Sequence, residues 1–132
     1  MPHSINVHLL PALVEPHELA AKTVVVIDVL RATTTIIHAL AAGAKEVVPL
    51  LEVQEAQELA RKLAPGAVLG GERGGKRIAG FDLGNSPQEY TPTIVGGKTL
   101  VFTTTNGTRA MLRCAQARRI LIAGFVNFSA VC

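Results

Sequence analysis

Acidic and basic side chains follow two stretches of the chain that are typical of β-strands. Asp28 comes directly after the apolar, β-branched run TVVVI at residues 23–27, and Arg31 lies three residues further on. Glu72 and Arg73 follow a second, shorter apolar stretch. Carboxylates can bind a divalent metal ion, and a guanidinium group can grip a phosphate or sulfonate with two parallel hydrogen bonds. These residue types therefore favour chemistry on a small anion.

Threonines are concentrated at two predicted junctions between a strand and a helix. Thr33 and Thr34 begin one helix, and the run TTTNGT at residues 103–108 begins another. Hydroxyl groups beside the free N–H groups of a helix start can bind phosphate. The same residues can instead cap the helix or bond to the previous turn, and both interpretations stay open. The candidates of the second junction are Thr105, Asn106, Gly107 and Thr108.

A polar, glycine-rich stretch at residues 71–92 is predicted to form a flexible loop beside the site. Gly70, Gly75 and Lys76 match the first part of the phosphate-binding pattern G-x-x-x-x-G-K-[ST], but Arg77 stands where that pattern needs a magnesium-binding hydroxyl. We therefore exclude an ATP-binding loop of this type. A basic loop that covers a substrate is favoured, with a solvated linker as the alternative.

The end of the same stretch holds two further candidates. Asp82 is an additional candidate metal ligand. Asn85 precedes Ser86 and Pro87, which form a typical helix start, so Asn85 is as well suited to capping as to binding a substrate.

Strand-like and helix-like segments alternate along the chain. Alternation at this spacing predicts an α/β fold of three layers, in which helices cover both faces of a largely parallel or mixed sheet. Ligands of such sheets bind beyond the carboxyl ends of the strands, where the candidate residues lie. The predicted strands cover residues 5–9, 23–27, 46–51, 67–70, 99–104 and 119–124, and the predicted helices cover residues 32–42, 53–63 and 107–117.

Three of these strands have distinct expected environments. Residues 5–9 alternate between apolar and polar types, as a half-exposed edge strand does. The continuous apolar run at residues 23–27 predicts a central strand covered on both faces. Pro49 lacks an N–H group, which either weakens the strand at residues 46–51 or places it towards an edge.

The last strand is followed by few residues. After Gly124 only residues 125–132 remain, which form at most a short helix starting near Asn127. We therefore expect a domain that is incomplete at its C-terminus, with part of an apolar sheet face exposed. Such a face predicts self-association or a homo-oligomer and little activity of the chain alone.

Composition excludes several classes of protein. Apolar residues make up 48% of the 132 residues and charged residues 17%, which is typical of a globular domain and not of a disordered one. The chain has no apolar run of the length that a membrane span needs and no signal-peptide pattern, so we expect a cytoplasmic protein that does not bind membranes. Aromatic residues are only 4%, which argues against nucleic-acid binding, and the net charge of +3 suits a small anionic partner.

Three long motifs occur in order along the chain: VVIDVLRATTTI at residues 25–36, GERGGKRIAGFDLGNSPQEY at residues 71–90 and KTLVFTTTNGTRAM at residues 98–111. Taken together, they resemble the magnesium-dependent 2-phosphosulfolactate phosphatase family of coenzyme M biosynthesis. The resemblance runs from about residue 5 to the last residue. It implies a three-layer α/β fold, of which residues 1–132 would be the N-terminal portion, because family members are markedly longer. It also implies hydrolysis of the phosphate monoester of 2-phospho-3-sulfolactate to sulfolactate and phosphate, with Mg²⁺ as cofactor.

The residue pattern and the resemblance together assign roles to the candidate residues. Asp28, Glu72 and Asn106 are the expected catalytic residues, and Asp28, Glu72 and Asp82 the expected Mg²⁺ ligands. The expected substrate-binding residues are Arg31, Thr33, Thr34, Arg73, Lys76, Asn85, Thr105, Gly107 and Thr108. Two alternatives to an enzyme stay open: a phosphate-binding module without turnover, and a structural fragment that needs a partner chain or a further C-terminal part to complete its sheet.

Overall fold

The structure, a computed structural model, describes residues 4–132 as six strands and five α-helices joined by turns and short 3-10 segments. The strands are β1 (Thr23–Ile27), β2 (Glu46–Pro49), β3 (Ala67–Arg73), β4 (Lys76–Arg77), β5 (Thr99–Thr103) and β6 (Arg119–Ala123). The helices are α1 (Ala32–Ala41), α2 (Val53–Leu63), α3 (Pro92–Val95), α4 (Gly107–Arg113) and α5 (Phe128–Val131).

The strands form two sheets. One has the order β2-β5-β3-β4, in which β2, β5 and β3 run parallel and β4 pairs with β3 as an antiparallel hairpin. The other consists of the parallel pair β1-β6. The predicted α/β class with a largely parallel or mixed sheet is confirmed, although the strands divide between two sheets where we expected one.

Strand β5 lies at the centre of the core, and all five of its residues are buried. Because side chains alternate along a strand, Leu100 and Phe102 face one side while Val101 faces the other. The side of Val101 is covered by α2, through Ala56 and its neighbours. The opposite side is covered by α1 and α4, so helices cover both faces of the larger sheet.

The smaller sheet packs on the far side of α1. Val26 of β1 belongs to the same core cluster as Ile36 of α1 and Phe102 of β5. The other face of β1 is open, since Val25 is 41% exposed and Ile27 is 67% exposed. The prediction that TVVVI is covered on both faces is therefore wrong for the described part of the chain.

Most element bounds follow from local sequence signals. Helix α2 begins and ends as predicted, and Gly43, with φ of 91°, follows the end of α1 as expected. Strand β2 lies at an edge of its sheet, which is one of the two outcomes expected from Pro49. The prediction of a strand at residues 5–9 is wrong, because these residues are exposed and pair with none of the described strands. Without a neighbouring strand, a segment of alternating apolar and polar residues forms no backbone hydrogen bonds of a sheet. Helix α4 ends at Arg113, four residues earlier than predicted.

The glycine-rich stretch has defined structure. Gly74 and Gly75, with φ of 57° and 78°, form a two-residue turn between β3 and β4, which is the backbone conformation that such hairpins need. Phe81 and Leu83 are buried and fix the following segment to the core. Within residues 4–132, no helix is long and apolar enough to cross a membrane.

The open face of the small sheet generates a prediction about association. Val25 and Ile27 lie on the same face of β1 and are both exposed, whereas Ala123, the partner of Ile27 on β6, is buried. We expect two copies of the chain to associate through this face, because burial of apolar surface stabilises by about 25 cal/mol per Å². Sedimentation over a range of protein concentrations should show dimers or larger species.

A lysine at position 27 should weaken this association. Leu63→Lys is the matched control, because Leu63 is 39% exposed on α2, away from the small sheet. A chain that stays monomeric at all concentrations, or equal weakening by Ile27→Lys and Leu63→Lys, would show that this face is not the contact.

Candidate active site

A cavity of about 270 Å³ opens where β1, β3 and β5 end. It is lined by residues from the segments that follow or end these strands, as expected for a parallel sheet. The predicted site residues that line it are Asp28, Arg31, Glu72, Asn85, Thr105, Asn106 and Gly107. The structure thus brings together the two main carboxylates, one guanidinium group and the loop after β5.

Asp28 is the carboxylate at the end of β1, and it is half-buried. Burial raises the pKa of Asp28 above its ordinary value. A hydrogen bond from the backbone N–H of Ala32 partly offsets this, and the negative charge of Glu72 adds to it. A cation beside Asp28 would therefore be favoured, since it would relieve both the burial and the repulsion.

Glu72 is buried and is held by three hydrogen bonds. Its Oε1 accepts from the backbone N–H of Thr105 at 2.7 Å, and its Oε2 accepts from that of Gly75 at 2.8 Å and from the Thr105 hydroxyl at 3.2 Å. Burial pushes the pKa of Glu72 upward, but these hydrogen bonds outweigh it, so the pKa lies below its ordinary value. Glu72 is therefore ionised, and it joins the β3-β4 turn to the loop after β5.

The loop after β5 is closed by two reciprocal hydrogen bonds. The N–H of Thr104 donates to the hydroxyl of Thr108 at 2.9 Å, and the N–H of Thr108 donates to the hydroxyl of Thr104 at 3.0 Å. Thr108 is fully buried and does not line the cavity, so it holds the turn and has no access to a substrate. Thr104 does line the cavity, although its place in the TTTNGT run had not singled it out.

Gly107 lets this loop approach Asp28 closely. A Cβ atom at position 107 would collide with the Cβ of Ala32 and would lie 3.0 Å from Oδ2 of Asp28. Glycine is therefore required here by the close approach of the two segments. Asn106, just before it, is exposed, lines the cavity and makes no capping hydrogen bond to α4, so its amide is available to a ligand.

The threonines that begin α1 form hydrogen bonds between their side chains and the backbone. Thr33 is fully buried, and its hydroxyl accepts from the N–H of Asp28 at 2.9 Å and lies 2.7 Å from the carbonyl of Asp28 and 2.8 Å from that of Ala123. The Thr34 hydroxyl donates to the carbonyl of Val29 at 2.7 Å. Neither residue lines the cavity, and neither hydroxyl caps α1. Their contacts match the interpretation in which the hydroxyls bond to the backbone that precedes the helix, and not phosphate binding.

Arg73 and Lys76 lie away from the cavity. Arg73 follows Glu72 within β3, and consecutive strand residues point to opposite faces. The Arg73 guanidinium donates to the carbonyls of Glu72 and Leu51 and so turns towards the end of β2. Lys76 is exposed on β4. Arg31 is therefore the predicted basic residue that reaches the cavity.

Asp82 is separated from the other carboxylates. It is exposed, and its Oδ2 accepts from the N–H of Leu69 at 2.8 Å, so it orders the segment beside β3. Within residues 4–132, no cluster of three or more His, Cys, Asp or Glu side chains is placed to hold a metal ion. Asn85 lines the cavity and is only 7% exposed, and its buried Oδ1 has no hydrogen-bond partner among residues 4–132.

The family model of 2-phosphosulpholactate phosphatase matches residues 8–132 of the chain. A protein of Caldanaerobacter subterraneus subsp. tengcongensis is 50% identical over 119 residues, which cover 89% of this chain and 49% of that protein. One of Clostridium acetobutylicum is 54% identical over 110 residues, covering 83% of this chain and 47% of that protein. Both relatives are named "probable 2-phosphosulfolactate phosphatase".

The match includes the segments that build the cavity. Residues 28–31, 72–75 and 104–107 all lie within the range that the family model covers. The chain spans about half the length of the curated relatives it matches. With a family model that matches nearly all of it and relatives at about 50% identity, the chain belongs to the 2-phosphosulfolactate phosphatase family.

Proposed function

We propose that the cavity is the phosphate end of the active site of a Mg²⁺-dependent phosphatase that hydrolyses 2-phospho-3-sulfolactate to sulfolactate and phosphate. The observation that carries this proposal is the meeting of Asp28, Glu72 and Arg31 at one cavity. Transfer of a phosphoryl group depends mainly on neutralising charge and positioning the reacting groups. Two carboxylates for a cation and a guanidinium for an anion supply that combination, and the names of the relatives support the substrate.

The donor groups fit Mg²⁺. This ion is usually held by one or two carboxylates, with water and substrate phosphate filling the other positions. Asp28 and Glu72 would be the carboxylate ligands. When bound, the ion would supply positive charge against the phosphate oxygens.

The other side chains at the cavity would bind the substrate or orient the groups that do. Arg31 would hold phosphate or sulfonate through its planar guanidinium group. Asn106 would donate a hydrogen bond to a substrate oxygen, since its amide is free at the cavity. The hydroxyl and N–H of Thr105 are already bonded to Glu72, so Thr105 orients this carboxylate and contributes to substrate binding only indirectly.

Asp28→Asn tests the role of the first carboxylate. In a complete enzyme that carries these residues we expect Mg²⁺-dependent phosphate release to fall by more than about 100-fold, because losing a ligand exceeds the 10–100-fold typical of its supporting residues. Circular dichroism should show that the fold is intact. Asp82→Asn is the matched control and should leave most activity, because Asp82 lies outside the cavity. Near-normal turnover of Asp28→Asn would remove Asp28 from the mechanism.

Lysine substitutions test which arginine binds the anion. Arg31→Lys keeps the charge but loses the planar fork, so we expect kcat/KM to fall by about tenfold, or about 1.4 kcal/mol. Arg73→Lys should leave kcat/KM nearly unchanged, because its guanidinium contacts backbone carbonyls away from the cavity. Steady-state kinetics of both variants would decide this. A larger loss for Arg73→Lys than for Arg31→Lys would contradict the assignment.

A further inference from the structure

The hydroxyl group of Thr33 lies at the point where the small sheet ends. The β1-β6 ladder stops at the pair Ile27 and Ala123, so the next residue, Asp28, has no ladder partner. A backbone N–H group that is removed from water needs another acceptor. The Thr33 hydroxyl is that acceptor for Asp28, at 2.9 Å.

The same hydroxyl also ties the ends of both strands together. It has one hydrogen to donate, and the carbonyl oxygens of Asp28 and Ala123 lie 2.7 Å and 2.8 Å away. The backbone N–H of Thr33 donates to the Asp28 carbonyl as well, at 3.1 Å. Both backbone groups of Asp28 are thus bonded to Thr33, which is fully shielded from solvent.

The opposite side of Asp28 is restricted by the loop after β5. Its Oδ2 lies beside Gly107, where there is no room for an added methyl group. Thr33 therefore holds the backbone of Asp28 on one side, and the loop at Gly107 limits the space of its carboxylate on the other. A single cation can contact Asp28 and Glu72 together only if their separation is fixed, because Mg²⁺ demands near-ideal geometry.

We propose that Thr33 is a positioning residue: it binds no substrate, and its hydroxyl holds the Asp28 backbone so that the carboxylate meets the cation together with Glu72. This inference rests on the proposed role of Asp28. A residue that only stabilised the fold would affect the melting temperature alone. A positioning residue should affect metal binding and turnover more than substrate binding, because Thr33 does not line the cavity and bonds to the backbone of Asp28.

Three substitutions in the complete enzyme test the proposal. Thr33→Val keeps the shape but removes the hydroxyl, and Thr33→Ser keeps the hydroxyl. Thr99→Val is the control, because Thr99 is also buried, at 5% exposure, and bonds to Glu46 at 2.8 Å at the start of β5. If Thr33→Val does not fold, Thr33→Cys replaces it, since a thiol is a weak hydrogen-bonding group.

For Thr33→Val we expect about tenfold weaker Mg²⁺ binding by calorimetry and about tenfold lower kcat, as for residues that support metal ligands. KM should change by less than about threefold, and Thr33→Ser should recover most of both losses. Amide hydrogen exchange at Asp28 should be faster in Thr33→Val than in Thr99→Val, and this readout needs no activity. Thr99→Val should lower the melting temperature without changing Mg²⁺ binding.

Failure of this inference and failure of the proposed function would give different results. Equal Mg²⁺ binding and kcat in Thr33→Val and the unsubstituted enzyme, or unchanged exchange at Asp28, would overturn the positioning role while leaving the proposed function standing. An unsubstituted enzyme that binds no Mg²⁺ and releases no phosphate would overturn the proposed function, and this inference with it.

Discussion

The buried, ionised carboxylate of Glu72 is the interaction on which the geometry of the site depends. A charge removed from water is costly unless hydrogen bonds replace its hydration. Here the replacement comes from backbone N–H groups of two separate segments, the turn at Gly75 and the loop at Thr105. Because both segments must stay in place to satisfy one charge, the cavity walls are coupled: a shift of the hairpin would leave a buried charge short of a donor.

Threonine hydroxyls beneath the cavity likewise supply hydrogen bonds to buried backbone groups. Thr33 replaces the missing ladder partner of Asp28, and the pair Thr104 and Thr108 closes the turn after β5. Each is buried, so each hydrogen bond is made in surroundings where leaving it unmade would cost about 1–3 kcal/mol. The hydroxyl of Thr103 is an exception, because it is buried and has no hydrogen-bond partner in the described part of the chain. The chain thus uses side chains that look suited to phosphate to hold backbone where regular ladders end.

The sequence was sufficient to predict the α/β class and most element bounds. The signals used, which are apolar runs, apolar residues at helical spacing in α2 and the glycine after α1, depend only on neighbouring residues. It also placed Asp28, Arg31 and Glu72 together, since parallel strands end at one edge. It could not separate hydrogen bonding to the backbone from phosphate binding by Thr33, as both use a hydroxyl beside a helix start. Alternation along β3 could have shown that Glu72 and Arg73 face opposite sides. The prediction of a strand at residues 5–9 was wrong because a strand needs a neighbouring strand to pair with, and a local sequence pattern does not show whether one is present.

Pro49 has a consequence for aggregation. The N–H of Leu50 donates to Phe102 of β5, so the nitrogen of Pro49 faces the free edge of β2, where it cannot donate to an incoming strand. The opposite edge is the two-residue β4, which is too short to serve as a template. Cross-β growth from the larger sheet is therefore disfavoured at both ends. The β-branched, uncharged strand TVVVI has no such protection, so amyloid-like pairing under stress would start there.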